Sequence, residues 1–203
     1  MVDSRAAPVW PLAALACFLI LVILFQVPLD ALMLHAGRSD MMGNAVVYAV
    51  MWTPGLAALC TCFLFRRRVA FLGFNRPAAR YGWAGYALPL TYATLAYSAL
   101  WISGLAPAQF AAYAAAAEAN MKLGVLSAPV STLLVFTIVF IRSCSSALGE
   151  EIGWRGFLVP ALAERMTFFP LVLVSGAIWA SWHLPAILGG GYSSGAPLWV
   201  AIP

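Results

Sequence analysis

The chain has 203 residues, of which 64% are hydrophobic and 9% are charged, and its mean hydropathy is +0.91. A soluble domain carries about one quarter charged residues, so this composition excludes a water-soluble globular protein. The formal net charge is +4, but the basic residues do not form a patch suited to nucleic acid. Several arginines share one short connector, a pattern typical of a membrane topology signal: Arg66, Arg67, Arg68, Arg76 and Arg80.

Apolar segments recur along the chain at the length of a membrane-spanning helix, about 20 residues. Hydropathy predicts spans at residues 9–29, 44–65, 83–104, 125–148 and 167–188, and a further span beginning at Pro197. Backbone groups in lipid must be hydrogen-bonded within the protein, so these spans are expected to be helices. The predicted fold is therefore an all-α, polytopic transmembrane helical bundle with about five to six spans.

The connectors between the predicted spans differ in charge. The segment from Arg66 to Arg80 carries only positive charge, whereas the segment from Asp30 to Gly43 has one Arg and two Asp. Positively charged connectors stay in the cytoplasm, so the arginine-rich connector is predicted to be cytoplasmic. The N-terminus, one predicted helical hairpin away, is then cytoplasmic too.

A cluster of ionisable residues interrupts the later apolar segments: Arg142, Glu150, Glu151, Arg155 and His183. Charged groups within a membrane are costly, so such a cluster indicates a functional site. On a helix, Glu151 and Arg155 are i, i+4 neighbours and can form an ion pair. Glu150 is turned about 100° away on the same helix and is expected to be available for chemistry.

His183 follows Trp179 by four residues, which places both on one helix face. A turn is predicted between Arg165 and Pro170, about midway between Glu150 and His183. An antiparallel hairpin would therefore bring these two residues to a similar depth. Hydropathy instead places the Glu pair near the cytoplasmic end of the fourth span. We favour the pairing of Glu150 with His183 because ionisable groups in lipid tend to interact with one another.

A carboxylate beside an imidazole can remove a proton from water, which is hydrolytic chemistry. Carboxylate oxygen and imidazole nitrogen are also ordinary zinc ligands, so Glu150 and His183 could instead hold a zinc ion that generates hydroxide. A third interpretation makes Glu151 and Arg155 a purely structural ion pair. The residues by themselves leave these alternatives open.

Two motifs in this region resemble those of the CPBP family, the CAAX-protease and bacteriocin-processing group of intramembrane metalloproteases, also called Abi. Glu150, Glu151 and Arg155 match its Glu-Glu-x-x-x-Arg pattern, and Trp179 and His183 match its aromatic-x-x-x-His pattern. The family's second motif usually begins with Phe, so Trp179 is a conservative departure. The resemblance implies that Glu150 activates water, that Glu151 and Arg155 support the site, and that His183 orients water or binds a metal ion such as zinc.

The family also has a third motif, a His with an Asn or a similar residue four positions later, which is not found here. The chain therefore resembles a C-terminally truncated member, with N-terminal helices and connectors over residues 1–120 and a partial catalytic core over residues 121–203. The resemblance implies a multi-pass protein of the bacterial plasma membrane that cleaves a membrane-associated or leader-bearing peptide. The lipid bilayer is then a partner, and nucleic acid is not.

Two other functions remain as alternatives. A non-catalytic membrane scaffold or a bacteriocin-immunity-type protein could keep the site for binding, as the missing third motif would suggest. A small transporter could use the charged cluster to relay protons or ions.

Overall fold

A computed structural model of the chain describes residues 9–36, 41–74, 78–105, 115, 119 and 128–188. These residues are almost entirely helical, and no β-strand occurs among them. In chain order the elements are α1 (Leu12–Ala36), α2 (Met41–Leu64), a 3-10 turn (Val69–Leu72), α3 (Ala79–Ile102), α4 (Ala128–Glu151), a π-helical segment (Ile152–Leu158), α5 (Val159–Ala163) and α6 (Phe168–Leu188). The predicted all-α fold is confirmed.

Three helical stretches in the described part of the chain are long and apolar enough to cross a membrane. They are Leu12–Met33, Ala45–Leu64 and Phe168–Leu188, which coincide with the first, second and fifth predicted spans. Helices α3 and α4 have 24 residues each and lie where the third and fourth spans are predicted. Their assignment as spans stays a prediction, and the predicted span at Pro197 lies outside the described residues.

Helix α1 continues beyond the predicted end of the first span. The sequence predicts a connector from Asp30 onward, but the helix runs to Ala36 and Asp30 is buried. The residues that follow Asp30 are strong helix formers, Ala31, Leu32, Met33 and Leu34, so the helix continues past the carboxyl group. The Asp30 Oδ1 is buried and has no hydrogen-bond partner among the described residues.

The contacts divide the chain into two compact units, one comprising Met1–Phe74 and Cys144–Pro203 and the other Asn75–Ser143. In the first unit, α1 packs against α2, and the π-helical segment packs against α2 and α6. In the second unit, no described side chain of α3 is buried. The predicted functional boundary at residue 120 stays a prediction.

Glycines allow the segment that carries the Glu pair to approach α2 closely. A Cβ atom added to Gly149 would lie 2.7 Å from the Trp52 Cα, and one added to Gly153 would lie 2.3 Å from the Pro54 Cβ. No side chain fits at such distances, so both positions require glycine for this packing. The Gly-x-x-x-Gly spacing puts both glycines on one helix face, as in closely packed membrane helices.

Aromatic rings form the core behind this segment. The Phe157 ring lies 4.7 Å from both the Trp10 ring and the Phe18 ring, and the Phe18 ring lies 5.9 Å from Trp154. Trp154 in turn contacts Trp182 of α6, with ring centroids 5.8 Å apart. This column joins α1, the π-helical segment and α6, and it ends beside His183.

Candidate active site

Glu151 and Arg155 form the ion pair that their spacing predicts. The Arg155 Nη1 lies 2.9 Å from the Glu151 Oε1, and more than half of each side chain is exposed in the described structure. Arg155 lies within the π-helical segment, one turn beyond Glu151. A π-helical insertion in an α-helix is uncommon and occurs frequently at functional sites.

Glu150 has a partner from the next long helix. The indole Nε1–H of Trp179 on α6 donates a hydrogen bond to the Glu150 Oε2 at 3.2 Å. The local sequence offers Glu150 no partner, and this contact spans 29 residues of chain. It places Glu150 beside Trp179, which lies one helical turn before His183, and the equal depth of Glu150 and His183 stays a prediction.

The helical run that carries the Glu pair is longer than the predicted fourth span. The chain remains helical from Ala128 through the π-helical segment to Ala163, so the fourth segment does not end at residue 148. At about 1.5 Å per residue, Glu150 lies roughly 21 Å before Glu164 along the helical run, and Trp179 lies roughly 18 Å after Thr167. The depth of these residues in the membrane stays a prediction.

His183 is partly buried and held by its own helix. Its Nδ1 lies 3.0 Å from the backbone carbonyl oxygen of Trp179. A carbonyl oxygen can only accept, so Nδ1 is the donor in this contact. The rings of Trp179 and Trp182 each lie 4.5 Å from the imidazole in edge-on contacts, and they fix its plane.

Helix α1 supports this arrangement from behind. The Gln26 side-chain amide donates a hydrogen bond to the Trp182 backbone carbonyl at 2.8 Å. A cavity of about 50 Å³ lies beside these residues, lined by Gln26, Met33, Val47, Val50, Met51, Trp182, His183 and Ala186. It is large enough for a water molecule, and Gln26 and His183 supply polar groups to hold one.

Helix α2 holds the start of the Glu-pair segment. The Trp52 indole N–H donates to the backbone carbonyl of Ser145 at 3.1 Å, and the Tyr48 hydroxyl hydrogen-bonds the Ser145 hydroxyl. Together with the close approach at Gly149, these contacts set the rotation of the helix about its axis. The direction in which Glu150 and Glu151 leave the helix follows from that rotation.

A zinc site is not formed by the described residues. No group of three or more His, Cys, Asp or Glu side chains that could hold a metal ion occurs among them. A catalytic zinc ion normally has three protein ligands in addition to water. Glu150 and His183 therefore stay predicted ligands, and the chemistry below is derived without a metal-dependent step.

Sequence reasoning missed three features of this site. It treated Trp179 as an equivalent of Phe, although its N–H is the group that reaches Glu150. It also passed over Gly149 and Gly153, whose spacing is a recognisable signal for close helix packing. The contact of Ser145 with Tyr48 and Trp52 had no sequence signal, because it joins residues far apart in the chain.

Comparison with known proteins bears on the same segment. Residues 129–202 match the model of the family described as "Type II CAAX prenyl endopeptidase Rce1-like". A protein of Methanococcus maripaludis named "CAAX prenyl protease 2" is 34% identical over 59 residues, which are 29% of this chain and 18% of that protein. The chain thus matches less than one fifth of the length of this relative.

No solved structure matches the chain. The family match nevertheless includes Glu150, Glu151, Arg155, Trp179 and His183, the residues that carry both motifs. The two matches therefore support the resemblance to the CPBP family of CAAX-type proteases that the sequence predicts.

Proposed function

We propose that this protein is an intramembrane endopeptidase that hydrolyses a peptide bond in a membrane-associated or leader-bearing peptide. The observation that carries the proposal is the meeting of Glu150 and His183 around Trp179, which unites a carboxylate and an imidazole from two separate motifs. The family match over residues 129–202 supports the same reaction class.

In the proposed reaction, the Glu150 carboxylate takes a proton from a water molecule as the water oxygen attacks the carbonyl carbon of the substrate. The resulting tetrahedral intermediate collapses when the C–N bond breaks, and the proton passes to the leaving amide nitrogen. His183, whose imidazole ring is held by the bond from Nδ1–H to a backbone carbonyl, orients the water. Glu151 and Arg155 form an ion pair next to Glu150, and this ion pair stabilises the helical turn on which Glu150 lies.

The resemblance also implies metal dependence, with zinc bound by Glu150 and His183. When bound, zinc would supply a hydroxide at neutral pH. Because the described residues do not supply a third ligand, metal dependence is kept as a proposal with its own test. Cleavage measured after treatment with a zinc chelator, and again after zinc is restored, decides it.

The proposed function is tested by cleavage assays on the native protein in liposomes. The probe is a quenched fluorogenic peptide that ends in a farnesylated C-a-a-X sequence, assayed beside the same peptide without the prenyl group. The substitution Glu150→Gln is expected to reduce cleavage by at least about 1,000-fold, because it removes the base that activates water. Glu118→Gln is the matched control, because it removes a carboxylate that lies outside both motifs and is expected to leave cleavage unchanged.

Cleavage of both probes would indicate that a prenyl group is not required. Cleavage that survives Glu150→Gln would contradict the proposal. Absence of cleavage by the wild-type protein would favour the scaffold or immunity-type alternative, and the transporter alternative would require ion-coupled flux in the same liposomes.

We also propose a plasma-membrane location with the N-terminus in the cytoplasm. Contacts in the first compact unit support this orientation. Arg67 of the arginine-rich connector donates to the Val9 carbonyl at 3.3 Å, and its guanidinium lies 5.7 Å from the Trp10 ring. The Trp10 backbone N–H donates to the Glu164 carboxylate at 2.8 Å. The start of α1, the arginine-rich connector and the turn before α6 therefore share one membrane face, which the arginines predict to be cytoplasmic.

A further inference from the structure

Trp179 makes three contacts that join the two residues assigned to the chemistry. Its indole N–H donates to Glu150, its ring lies edge-on to the His183 imidazole at 4.5 Å, and its backbone carbonyl accepts from the His183 Nδ1–H. Trp182 also contacts the imidazole, but no hydrogen bond to its indole nitrogen occurs within the described structure. Trp179 is thus distinguished from its neighbour by the bond that it donates.

The role of Trp179 depends on a group that Phe does not have. A phenyl ring at this position could keep the ring contact with His183, and the backbone carbonyl would be unchanged. Only the hydrogen bond to the Glu150 Oε2 would be lost. Trp179 in place of the family's usual Phe looks conservative in the sequence, but it adds a hydrogen-bond donor directed at Glu150, the proposed base.

Glu150 needs such a restraint because a Glu side chain has three rotatable bonds and its carboxylate lies on a partly exposed helix face. A single hydrogen bond to one oxygen, Oε2, limits these rotations and leaves Oε1 to meet the water. Small displacements of a catalytic group are expensive, since an error of about 1 Å can cost about 100-fold in rate.

We infer that Trp179 is a positioning residue, which orients the Glu150 carboxylate through its indole N–H and couples it to His183 through its ring. This inference rests on the proposed function. Trp179 acts through Glu150 and does not itself touch the reacting atoms. Its effect is therefore expected in the chemical step and not in substrate binding.

The decisive experiment replaces one N–H group without changing ring shape. Benzothienylalanine, in which sulfur replaces the indole N–H, is incorporated at position 179 of the native protein in liposomes, and cleavage of the farnesylated C-a-a-X probe is measured. We expect kcat to fall about 10- to 100-fold while KM stays within about twofold, because orientation is lost but the binding surface is kept. Trp179→Phe should show the same division between kcat and KM.

The matched control is the same replacement at Trp83 of α3, whose side chain is 72% exposed and lies in the other compact unit. It should leave both kinetic constants unchanged. The isostere also tests for a merely structural role of the ring, because packing is preserved and the melting temperature should be unaffected.

A second measurement observes the hydrogen bond itself. In protein labelled with ¹⁵N-tryptophan, the Trp179 indole resonance is assigned from its disappearance in Trp179→Phe. It should move in Glu150→Ala and remain in place in Glu151→Ala, because only Glu150 accepts from the indole.

Wild-type kcat with benzothienylalanine at position 179 would overturn the inference and leave the proposed function intact. A Trp179 indole resonance that does not move in Glu150→Ala would also overturn the inference. Failure of the proposed function is recognised separately, because the wild-type protein would then not cleave the probe at all.

Discussion

At the scale of single residues, the Glu pair divides into two unlike carboxylates. Glu151 is bound to Arg155 at 2.9 Å within one helical run, whereas Glu150 reaches across to Trp179 of α6. The first contact depends only on local spacing, and the second depends on how two helices meet. Adjacent residues of the same type therefore acquire different surroundings, which agrees with the different roles that we propose for them.

The exposed ion pair leads to a prediction about stability and activity. Because more than half of each side chain is exposed, Glu151→Gln should lower the free energy of unfolding by no more than about 1 kcal/mol. Cleavage should fall far more, by roughly 10- to 100-fold, since the charge beside Glu150 and the hold on its helix turn are lost. Thermal unfolding in detergent and initial cleavage rates measure the two quantities.

Arg155→Gln is the companion variant, and a double substitution completes the cycle. A coupling energy of about 0–1 kcal/mol between the two positions is expected. A loss of stability large enough to account for the lost activity would contradict the assignment and make the pair structural.

At the scale of helices, the contact between α2 and the Glu-pair segment sets the orientation of the site. Gly149 and Gly153 remove the side chains that would hold the helices apart, and Trp52 and Tyr48 bond to Ser145 one turn earlier. Membrane helices associate through such close packing and through hydrogen bonds between helices. The π-helical segment begins at Ile152, directly after the Glu pair, and places Gly156 against the carbonyl of Leu72.

Gly153→Ala tests this close contact. The added methyl group would lie 2.3 Å from the Pro54 Cβ and 2.5 Å from its carbonyl carbon, so one of the helices must shift. We expect the free energy of unfolding to fall by about 1–3 kcal/mol, the usual cost of overpacking. The change is followed by thermal or denaturant unfolding in detergent.

Gly176→Ala on α6 is the control, because an added Cβ there meets no described atom within 4 Å. That variant should be neutral, or more stable by up to about 1 kcal/mol, because Ala favours the helix. Equal destabilisation by both alanines would show that helix propensity, and not contact with α2, explains the effect.

At the scale of the whole molecule, the described helices form an all-α membrane bundle whose first two helices support the motif-bearing hairpin. Contacts of Trp10 connect the start of α1 with two other segments. The Trp10 ring contacts Arg67 of the arginine-rich connector, and its backbone N–H donates to Glu164 in the turn before α6. Gln26, farther along α1, hydrogen-bonds α6 next to His183. The N-terminal helices are thus part of the scaffold of the site, although they carry neither motif.

The shared membrane face yields a topology prediction. In a protein whose four native cysteines are replaced, single cysteines at Arg67 and Met166 should react with a membrane-impermeant maleimide from the same side. A cysteine at Ser39, between α1 and α2, should react from the opposite side because α1 is long enough to cross the membrane. Labelling of intact spheroplasts and of inverted vesicles distinguishes the two faces.

The expected result is labelling of positions 67 and 166 only in inverted vesicles, where the cytoplasmic face is outside. Labelling of both positions in intact spheroplasts would reverse the proposed orientation but keep the shared face. Labelling of the two positions from opposite sides would contradict the packing itself.

The sequence by itself was sufficient for whatever depends on composition or on local spacing. Apolar segments of sufficient length predict membrane helices because backbone groups in lipid must bond internally. An i, i+4 spacing predicts the Glu151–Arg155 pair because the helix repeats every 3.6 residues. The motif spacing also predicts the common level of the two motifs, because a turn lies midway between them.

Tertiary structure decided the features that depend on contacts between distant residues. Helix α1 runs to Ala36, although the first span is predicted to end at residue 29, and it keeps the buried Asp30 within the helix. The sequence did not predict the long helical run through the π-helical segment or the hydrogen bond from Trp179 to Glu150. Both depend on how the helices are rotated and where they contact each other. The rotation of a helix about its axis is set by packing at a few close contacts, which here are those of Gly149 and Gly153 with α2. Local spacing along the chain does not specify the surface on which a helix will pack.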